Sequence, residues 1–473
     1  MNFRVRHTAI AWGIGLHAAL LANAVWAKSA SGESPSPPRV ERIELTDGRR
    51  LEGLIESEND VWVNLIEIRR PPGRPMFLII RPIDRRGIAK IDYLAAADKS
   101  RLQAEIDRFR NRAQIEAAQI EAVQLSPSAS QGAKGWTYQG AWFRLDSTTD
   151  ETTIRRIVVR LEQVFTAYRQ IMPPRCNPSR PLRIVVFDSL EEYRAQMAQR
   201  SLRIENRACF FPAENLLAAA SELAAFGAEL KAIDQSHARI RRELETLKAR
   251  LPERLRELKE QLQTTGQPRN VIDKLLSLEK LRAQKEIDDK GKELRNAERK
   301  NSQVVERAAG QMFSRLYHEA FHAYLENYVY PHAQYDVPYW LNEGLAVMME
   351  SGVLDDGRLR VDGPNRDALK ELKKDLAGKE QLPLEKLLAA DQRAFLVHSG
   401  APSAESQRYY AAAWGLAYYL TNEKGVLRET RLNEYVSRSA VPEAPLSRFE
   451  KLVAAPAAEF EKEWRAAILA MRP

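Results

Sequence analysis

The stretch Leu316-Tyr317-His318-Glu319-Ala320-Phe321-His322-Ala323-Tyr324 contains two histidines four residues apart. Apolar residues recur around it at steps of three and four, which predicts a helix with one buried face. On a helix, His318 and His322 lie one turn apart and can hold one zinc ion through two imidazole nitrogens. Glu319 lies beside them, where its carboxylate can deprotonate a metal-bound water. The stretch therefore predicts a hydrolytic zinc site that needs a third protein ligand and keeps a fourth position for water.

Chance explains this pattern poorly. With 7 histidines in 473 residues, His-Glu-x-x-His should arise in roughly one such chain in a hundred. The alternative is a pair of surface histidines on an ordinary helix. A metzincin would need Gly and His where the chain has Leu325 and Tyr328, and the inverzincin order is absent. Glu326 is a rival third ligand, but it lies ~12 Å along the helix from His318, which is too far for one ion.

A second motif, Trp340-Leu341-Asn342-Glu343-Gly344-Leu345-Ala346, follows and begins another amphipathic helix. The two motifs together resemble the gluzincin metallopeptidases, in which a Glu on the following helix completes the zinc site. The resemblance covers about residues 135–473 without residues 227–305, and it implies a peptide or protein substrate. It also implies His318, His322 and Glu343 as zinc ligands and Glu319 as general base.

The chain departs from the gluzincin pattern at two points. Many gluzincins place an Asp four residues after the ligand Glu to orient a ligand histidine, but here that residue is Val347. The orienting group must therefore come from elsewhere. The Gly-Ala-Met-Glu-Asn string that reads a free amino terminus in the clan's aminopeptidases is absent from the chain. An endopeptidase is the better expectation.

The amino-terminal residues 1–27 read as a signal peptide, with Arg4 and Arg6 before an apolar run and a small-residue cleavage site at Val25-Trp26-Ala27. The run is short for a membrane span, so export to the periplasm or the extracellular space is expected, with an uncleaved anchor as the alternative. Residues 28–38 read as a linker, and no later segment reaches spanning length.

Residues 39–95 carry five short strand patterns with tight turns, which predict a small SH3-like or Sm-like β-barrel. The barrel serves either as a packing module or as the binding site for a peptide, glycan or envelope partner. Residues 96–134 follow as one charged helix, Asp98 to Leu125, and a second linker.

Residues 135–473 form the predicted metallopeptidase domain. Strands are expected at Trp142–Leu145, Leu182–Phe187 and Ala208–Phe211, followed by a helix from about Glu214. By the gluzincin resemblance, Ala208–Phe211 would be an edge strand that pairs with extended substrate; an interior strand is the alternative. Near the carboxyl terminus, Phe449–Met471 is predicted as one core helix.

Residues 227–305 interrupt this domain with two heptad-like runs on either side of Thr264-Thr265-Gly266-Gln267-Pro268. They predict an inserted antiparallel coiled-coil hairpin. Its second helical run is expected to carry the apolar residues Val271, Leu275, Leu278, Leu281, Ile287, Leu294 and Val304. The insertion holds 19 Lys and Arg against 14 Asp and Glu, which suits a solvated face, with a docking arm, a dimerisation arm or a lid as the alternative.

The stretch Arg408-Tyr409-Tyr410-Ala411-Ala412-Ala413-Trp414-Gly415-Leu416 resembles a helix downstream of the ligand Glu in related exported bacterial proteins. Peptide hydrolysis needs a donor for the oxyanion that forms at the carbonyl. Tyr410 or Tyr409 is the candidate, with His332 and His398 behind them, and the alternative is that both tyrosines merely pack.

Composition limits the remaining options. A hydrophobic content of 44%, a charged content of 29% and a net charge of +8 are typical of a globular protein and do not indicate nucleic-acid binding. Cys176 and Cys209 either form one bridge or remain free thiols.

The sequence therefore predicts an α+β protein: a barrel, then a gluzincin-like zinc peptidase domain carrying an inserted hairpin. A non-catalytic envelope scaffold with a structural metal is one alternative function. A zinc amidase acting on cell-wall bonds is the other.

Overall fold

The computed structural model describes residues 39–128, 135–178, 180–200, 206–221, 223–355, 358–395, 397–398, 401–439 and 443–472. The predicted signal peptide 1–27 and linker 28–38 lie outside the described residues. The described chain divides into two compact units, and the first comprises residues 39–69, Phe77–Phe109 and Ala167–Pro173. The second comprises Arg70–Met76, Arg110–Thr166 and 174–472. The protein is of the α+β class, as the sequence predicts.

The first unit contains one five-stranded antiparallel sheet in the order β4-β3-β2-β1-β5. Its strands are β1 (Glu41–Leu45), β2 (Arg50–Glu58), β3 (Trp62–Arg69), β4 (Phe77–Asp84) and β5 (Ile88–Asp92). Alternating apolar residues such as Ile43, Val63 and Leu65 form its core. Five strands are thus confirmed. Among the described residues β4 and β5 are not paired, so closure of the sheet into a barrel stays a prediction.

The single charged helix expected from Asp98 to Leu125 is wrong, since the chain forms two helices, α1 (Ala96–Arg110) and α2 (Arg112–Ala122). They are separated at Asn111, whose backbone leaves the helical region. Leu102 and Ile106 of α1 pack against Leu54 and Ile66 of the first sheet. The apolar side of α1 therefore packs on the sheet, as expected for an amphipathic helix.

The second unit contains a six-stranded mixed sheet in the order β10-β11-β9-β8-β7-β6. The strands are β6 (Ser126–Pro127), β7 (Trp136–Gln139), β8 (Phe143–Ser147), β9 (Leu182–Phe187), β10 (Ala208–Phe211) and β11 (Leu216–Ala220). The helix α3 (Glu151–Ile171) connects β8 to β9, and the helix α4 (Leu190–Gln199) connects β9 to β10. The strand β10 lies at the edge of the sheet. The helix expected from about Glu214 is wrong, because Leu216–Ala220 is a fully buried strand parallel to β9.

The hairpin consists of α5 (Leu223–Thr264) and α6 (Arg269–Tyr324). Ion pairs join its arms, among them Arg254 to Glu279 at 2.5 Å and Lys290 to Glu243 at 2.8 Å. Both pairs are symmetric about the turn at Gly266 and Gln267, so the arms are antiparallel. Gly266 adopts a φ of +69°, which ends α5 in the left-handed conformation that glycine favours.

The seam predicted for the second arm of the hairpin is wrong in part. Leu275, Leu278 and Leu281 are exposed, whereas Ile272 and Ala283 are buried against α5. The structure also differs from the prediction in the length of the second arm. Helix α6 runs for 56 residues without a break and carries His318 and His322 near its end. The second arm of the hairpin and the helix of the predicted metal site are therefore one helix, about 84 Å long.

The rest of the second unit is mainly helical. Its helices are α7 (Tyr339–Glu350), α8 (Arg366–Ala377), α9 (Leu384–Leu388), α10 (Ala404–Asn422), α11 (Thr430–Val436), α12 (Pro445–Val453) and α13 (Ala457–Ala470). Two hairpins of short strands, β12 (Val353–Asp355) with β13 (Arg358–Arg360) and β14 (Val397–His398) with β15 (Ala401–Pro402), lie between them.

Three fully buried tryptophans, Trp340, Trp414 and Trp464, lie in the core of these helices. The terminal helix expected at Phe449–Met471 is wrong, because Ala454 takes a φ of +53° and divides it into α12 and α13. None of the helices in the described part of the chain has the length and hydrophobicity that crossing a bilayer requires.

Candidate metal centre

The last turns of α6 present His318, Glu319 and His322 on one side of the helix. The opposite side is fixed by packing, since Ala320, Phe321 and Tyr324 are completely buried. The two imidazole rings lie 4.8 Å apart between centroids, as expected for residues one turn apart. A π-helical turn, Leu325–Val329, follows directly, which is a feature often found at functional sites.

Helix α7 brings Glu343 to the same point. Its carboxylate Oε2 lies 3.3 Å from Nε2 of His318 and 3.6 Å from Nε2 of His322. The three side chains form a largely buried group whose ligand atoms all lie within 4.8 Å of one another. Oε2 of Glu343 is buried and accepts no hydrogen bond from the described residues. This orphaned oxygen between two imidazole nitrogens fits a cation, so the group could hold a metal ion.

Close packing of α7 against α10 positions Glu343. The residue after it, Gly344, is so near α10 that a Cβ atom there would lie 2.3 Å from the carbonyl oxygen of Ala413. Ala413 and Ala417 are themselves small and buried. The glycine and the alanines thus let the two helix backbones approach, and this contact fixes the depth of the Glu343 carboxylate in the site.

Each histidine is oriented through its other ring nitrogen. Nδ1 of His318 donates to Oε2 of Glu350 at 3.1 Å, and Glu350 in turn accepts from the Ser314 hydroxyl at 2.9 Å. Nδ1 of His322 donates to Oδ1 of Asn342 at 2.9 Å. These bonds leave both Nε2 atoms free to bind a metal, as is usual for metal-ligating histidines.

Glu350 is thus the orienting group that had to come from somewhere other than Val347. It lies seven residues after Glu343 on α7, two helical turns along the same face. That spacing is the sequence signal that could have identified it.

Charges within the group are strongly coupled. Burial alone would lower the pKa of His318, but the carboxylates of Glu343 and Glu350 beside the ring outweigh burial and raise that pKa to about 10. Burial likewise opposes ionisation of Glu343, but the two histidines hold its pKa well below the usual range. Positive charge on the imidazoles and negative charge on the Glu343 carboxylate therefore stabilise each other in this group.

Glu319 also contacts the edge of the six-stranded sheet. Its Oε2 accepts a hydrogen bond of 2.8 Å from the backbone N–H of Phe210 on the edge strand β10. The structure thus places a carboxylate next to the candidate metal ligands and next to the open side of a strand.

The group lies in a cleft of about 1270 Å³ that β10 and the helices α6, α7, α8 and α10 line. Tyr410 lines this cleft, and its hydroxyl donates to the carbonyl oxygen of Phe395 at 2.9 Å. Burial, and then the charges of Glu343 and Glu319, raise the pKa of Tyr410, so its hydroxyl stays protonated. Tyr409 packs its ring against that of Phe395 instead.

The other two histidine candidates differ in position. His332 lines the cleft but is largely exposed, and it forms an ion pair with Glu326. The side chain of His398 lies outside the described residues. Glu326 is not a member of the metal-binding group, which agrees with its distance from His318 along the helix.

Cys176 and Cys209 are free thiols, so the bridge between them does not form. Cys209 lines the cleft. Burial, and then the nearby Glu319 and Glu343, raise its pKa to about 12. A thiol that remains protonated is a poor metal ligand and a poor nucleophile.

A protein-family model matches the part of the chain that contains this centre. Residues 312–439, from the last turns of α6 through α11, match a family model described as protein of unknown function, DUF1570. No curated protein matches the chain. The family match contains all three members of the candidate metal group, Glu319, Glu350 and Tyr410, but not β10.

Proposed function

We propose that this chain is an exported zinc-dependent peptidase of gluzincin type that cleaves within extended peptides. The observation that carries the proposal is the His318, His322 and Glu343 group with Glu319 beside it, in a cleft bordered by the edge strand β10. A purely structural metal would not need Glu319 or an open cleft. The sequence resemblance to gluzincins points in the same direction.

Two imidazole nitrogens and one carboxylate oxygen form a ligand set that suits zinc. Zinc bound there would act as a Lewis acid toward the scissile carbonyl and would lower the pKa of water. Glu350 and Asn342 hold the two imidazole rings so that their Nε2 atoms face Glu343. The three side chains are therefore preorganised, which reduces the cost of forming the complete site.

The remaining steps belong to side chains and backbone of this protein. An extended substrate would add to the free edge of β10, with main-chain hydrogen bonds fixing its register. Glu319 would take a proton from the attacking water and pass it to the leaving amine. Tyr410 would turn its hydroxyl from Phe395 toward the carbonyl oxygen and donate to the developing negative charge.

The first experiment measures zinc content and peptide cleavage for the purified chain, His322→Ala and Glu319→Gln. We expect one zinc per chain, lost in His322→Ala and retained in Glu319→Gln. Cleavage of an unbiased peptide library should be lost in both variants. Tyr410→Phe should retain zinc and lower kcat by about 10²-fold, since one oxyanion donor is removed.

The outcomes separate the alternatives. An intact chain that takes up no zinc would contradict the metal site. A zinc-loaded chain that cleaves the amide bond between glycan and peptide in peptidoglycan, but nothing in the library, would make it a cell-wall amidase. A zinc-loaded chain that cleaves neither would leave the metal a structural role. Export is checked separately, by sequencing the amino terminus of protein recovered from the periplasm or the medium, which should begin after Ala27.

A further inference from the structure

The outer face of α6 near the hairpin turn carries a row of apolar side chains that nothing in the described chain covers. Leu275, Leu278 and Leu281 are 37%, 49% and 72% exposed. We call this face the outer stripe: Val271, Leu275, Leu278 and Leu281, flanked by Lys274, Arg282 and Lys285. At about 100° per residue these side chains fall within about 120° of one another around the helix.

The outer stripe has the spacing of a second coiled-coil seam. Val271, Leu275 and Leu278 are separated by four and then three residues, as in a heptad repeat, and the next two steps of that repeat reach Arg282 and Lys285, so these cations lie at the end of the apolar seam. Ile272 and Ala283, on another face of the same helix, are buried in the contact with α5. A helix with two seams of this kind is suited to pack against two helices, and the hairpin supplies only one of them.

Charge distinguishes the two seams. At the contact with α5, Arg254 pairs with Glu279 and Lys290 pairs with Glu243. Beside the outer stripe, Lys274, Arg282 and Lys285 are exposed and form no ion pair within the described residues. The outer stripe therefore combines uncovered leucines with cations that lack partners.

This charge pattern disfavours pairing with a second copy of the chain. An antiparallel two-fold contact centred on Leu278 would place Lys274 of one copy opposite Arg282 of the other. A parallel contact would set each cation beside its own equivalent. Like charges at these positions flanking a seam are repulsive.

The spacing also favours a helix over a lipid surface. The row of exposed leucines is only three side chains long and extends about 9 Å along the helix axis, from Leu275 to Leu281. Helices that lie in a membrane interface usually present a much longer apolar face. A narrow 4-3 repeat instead matches the knobs of a facing helix.

We propose that the outer stripe docks an acidic amphipathic helix of a partner protein. Leucines of that helix would interdigitate with Leu275, Leu278 and Leu281, and its carboxylates would pair with Lys274, Arg282 and Lys285. Leu278 lies 40 residues before His318 on one helix, about 60 Å along the axis. The docked partner would thus be held far from the metal-binding group, whether or not that group is catalytic.

The test uses the full chain and two labelled synthetic peptides of four heptads with Leu at the core positions. One peptide has Glu at the flanking positions and the other has Lys. Fluorescence anisotropy should show micromolar binding of the Glu peptide, at least about tenfold tighter than the Lys peptide. Leu278→Asp should abolish that binding without changing helicity or zinc content.

Charge reversal gives the sharper outcome. The triple variant Lys274→Glu, Arg282→Glu and Lys285→Glu should prefer the Lys peptide instead. The matched control is Lys280→Glu, an equally exposed cation on the opposite side of α6, which should leave the preference unchanged. Equal binding of both peptides, or binding of neither at about 100 μM, would overturn the proposal.

Two further measurements address the other occupants. Sedimentation velocity that shows a dimer broken by Leu278→Asp would overturn the proposal in favour of a second copy. Co-sedimentation with phosphatidylglycerol vesicles that requires the same leucine would overturn it in favour of an anionic membrane. A monomer that ignores vesicles and selects the acidic peptide supports it.

Discussion

At the scale of single residues, Glu350 shows how the ring of His318, a candidate metal ligand, is oriented. Its carboxylate accepts from Nδ1 of His318 and from Ser314. Val347, where many gluzincins have an Asp, leaves that role open. Glu350 lies two turns beyond Glu343 on α7, and from there its carboxylate reaches the His318 ring.

Replacing Glu350 by Gln keeps the shape of the side chain but removes its charge, so His318 becomes a weaker base. We expect zinc affinity to fall about 10- to 100-fold, measured by competition with a chelator. The control is Glu371→Gln, a cleft-lining carboxylate that pairs with Lys374 on α8. Unchanged affinity in Glu350→Gln would show that Glu350 does not support the ligand.

Glu162 is a buried carboxyl away from the candidate metal centre. Burial raises its pKa to about 7, against an opposing hydrogen bond of 2.9 Å from the Tyr138 hydroxyl. Because the folded pKa exceeds the ordinary value of 4.5, its contribution to stability is fully present below pH 4.5. That contribution is lost as the pH rises through about 7.

The variant Glu162→Gln cannot ionise, so its stability should not fall over this range. Urea unfolding at pH 5 and pH 8 should show the wild type losing up to about 3 kcal/mol relative to Glu162→Gln. Taking the difference between the two proteins cancels the pH dependence of all other groups. Parallel curves for the two proteins would mean that Glu162 titrates normally.

At the scale of elements, the contact between α7 and α10 fixes the position of a candidate ligand. In Gly344→Ala the new Cβ would meet the carbonyl oxygen of Ala413, which cannot move without its helix. We expect a loss of about 1–3 kcal/mol in stability together with weaker zinc binding, because Glu343 is the adjacent residue.

Gly415→Ala is the matched control on α10. Its Cβ would meet Cδ2 of Leu372 at 2.3 Å, the end of a side chain that can turn aside. It should cost less stability and leave zinc binding unchanged. Equal effects of the two variants on zinc binding would show that the α7–α10 contact does not position Glu343.

The helices and strands also show which sequence patterns were sufficient to predict secondary structure. Alternation and turns predicted the five strands of the first unit, and helical periodicity predicted the helix of His318 and His322. Leu216–Ala220 was misread because a strand buried on both faces is a short apolar run that periodicity cannot distinguish from a helix. The hairpin seam was misassigned because α6 carries a second apolar repeat one residue along, Ile272, Leu276 and Ala283, and only the contact with α5 decides which repeat is buried.

At the scale of the whole molecule, local motifs predicted the candidate metal group better than they predicted its surroundings. His318 and His322 belong to one helical turn, and the family resemblance supplied Glu343. Contacts such as Phe210 to Glu319 join residues 109 positions apart. Such pairs depend on how the sheet and the helices pack together, and no short pattern in the sequence specifies that packing.

The continuity of α6 restricts how this chain can change in length. An inserted residue between Leu294 and Phe313 would rotate His318 and His322 by about 100° relative to the contact with α5, and would shift them by 1.5 Å. Helix α6 could then no longer keep both its contact with α5 and the packing that orients His318 and His322. Insertions and deletions in the arms should therefore be tolerated only as matched steps of about seven residues on both helices, which nearly restore the phase. Homologues with longer or shorter hairpins should differ by those steps.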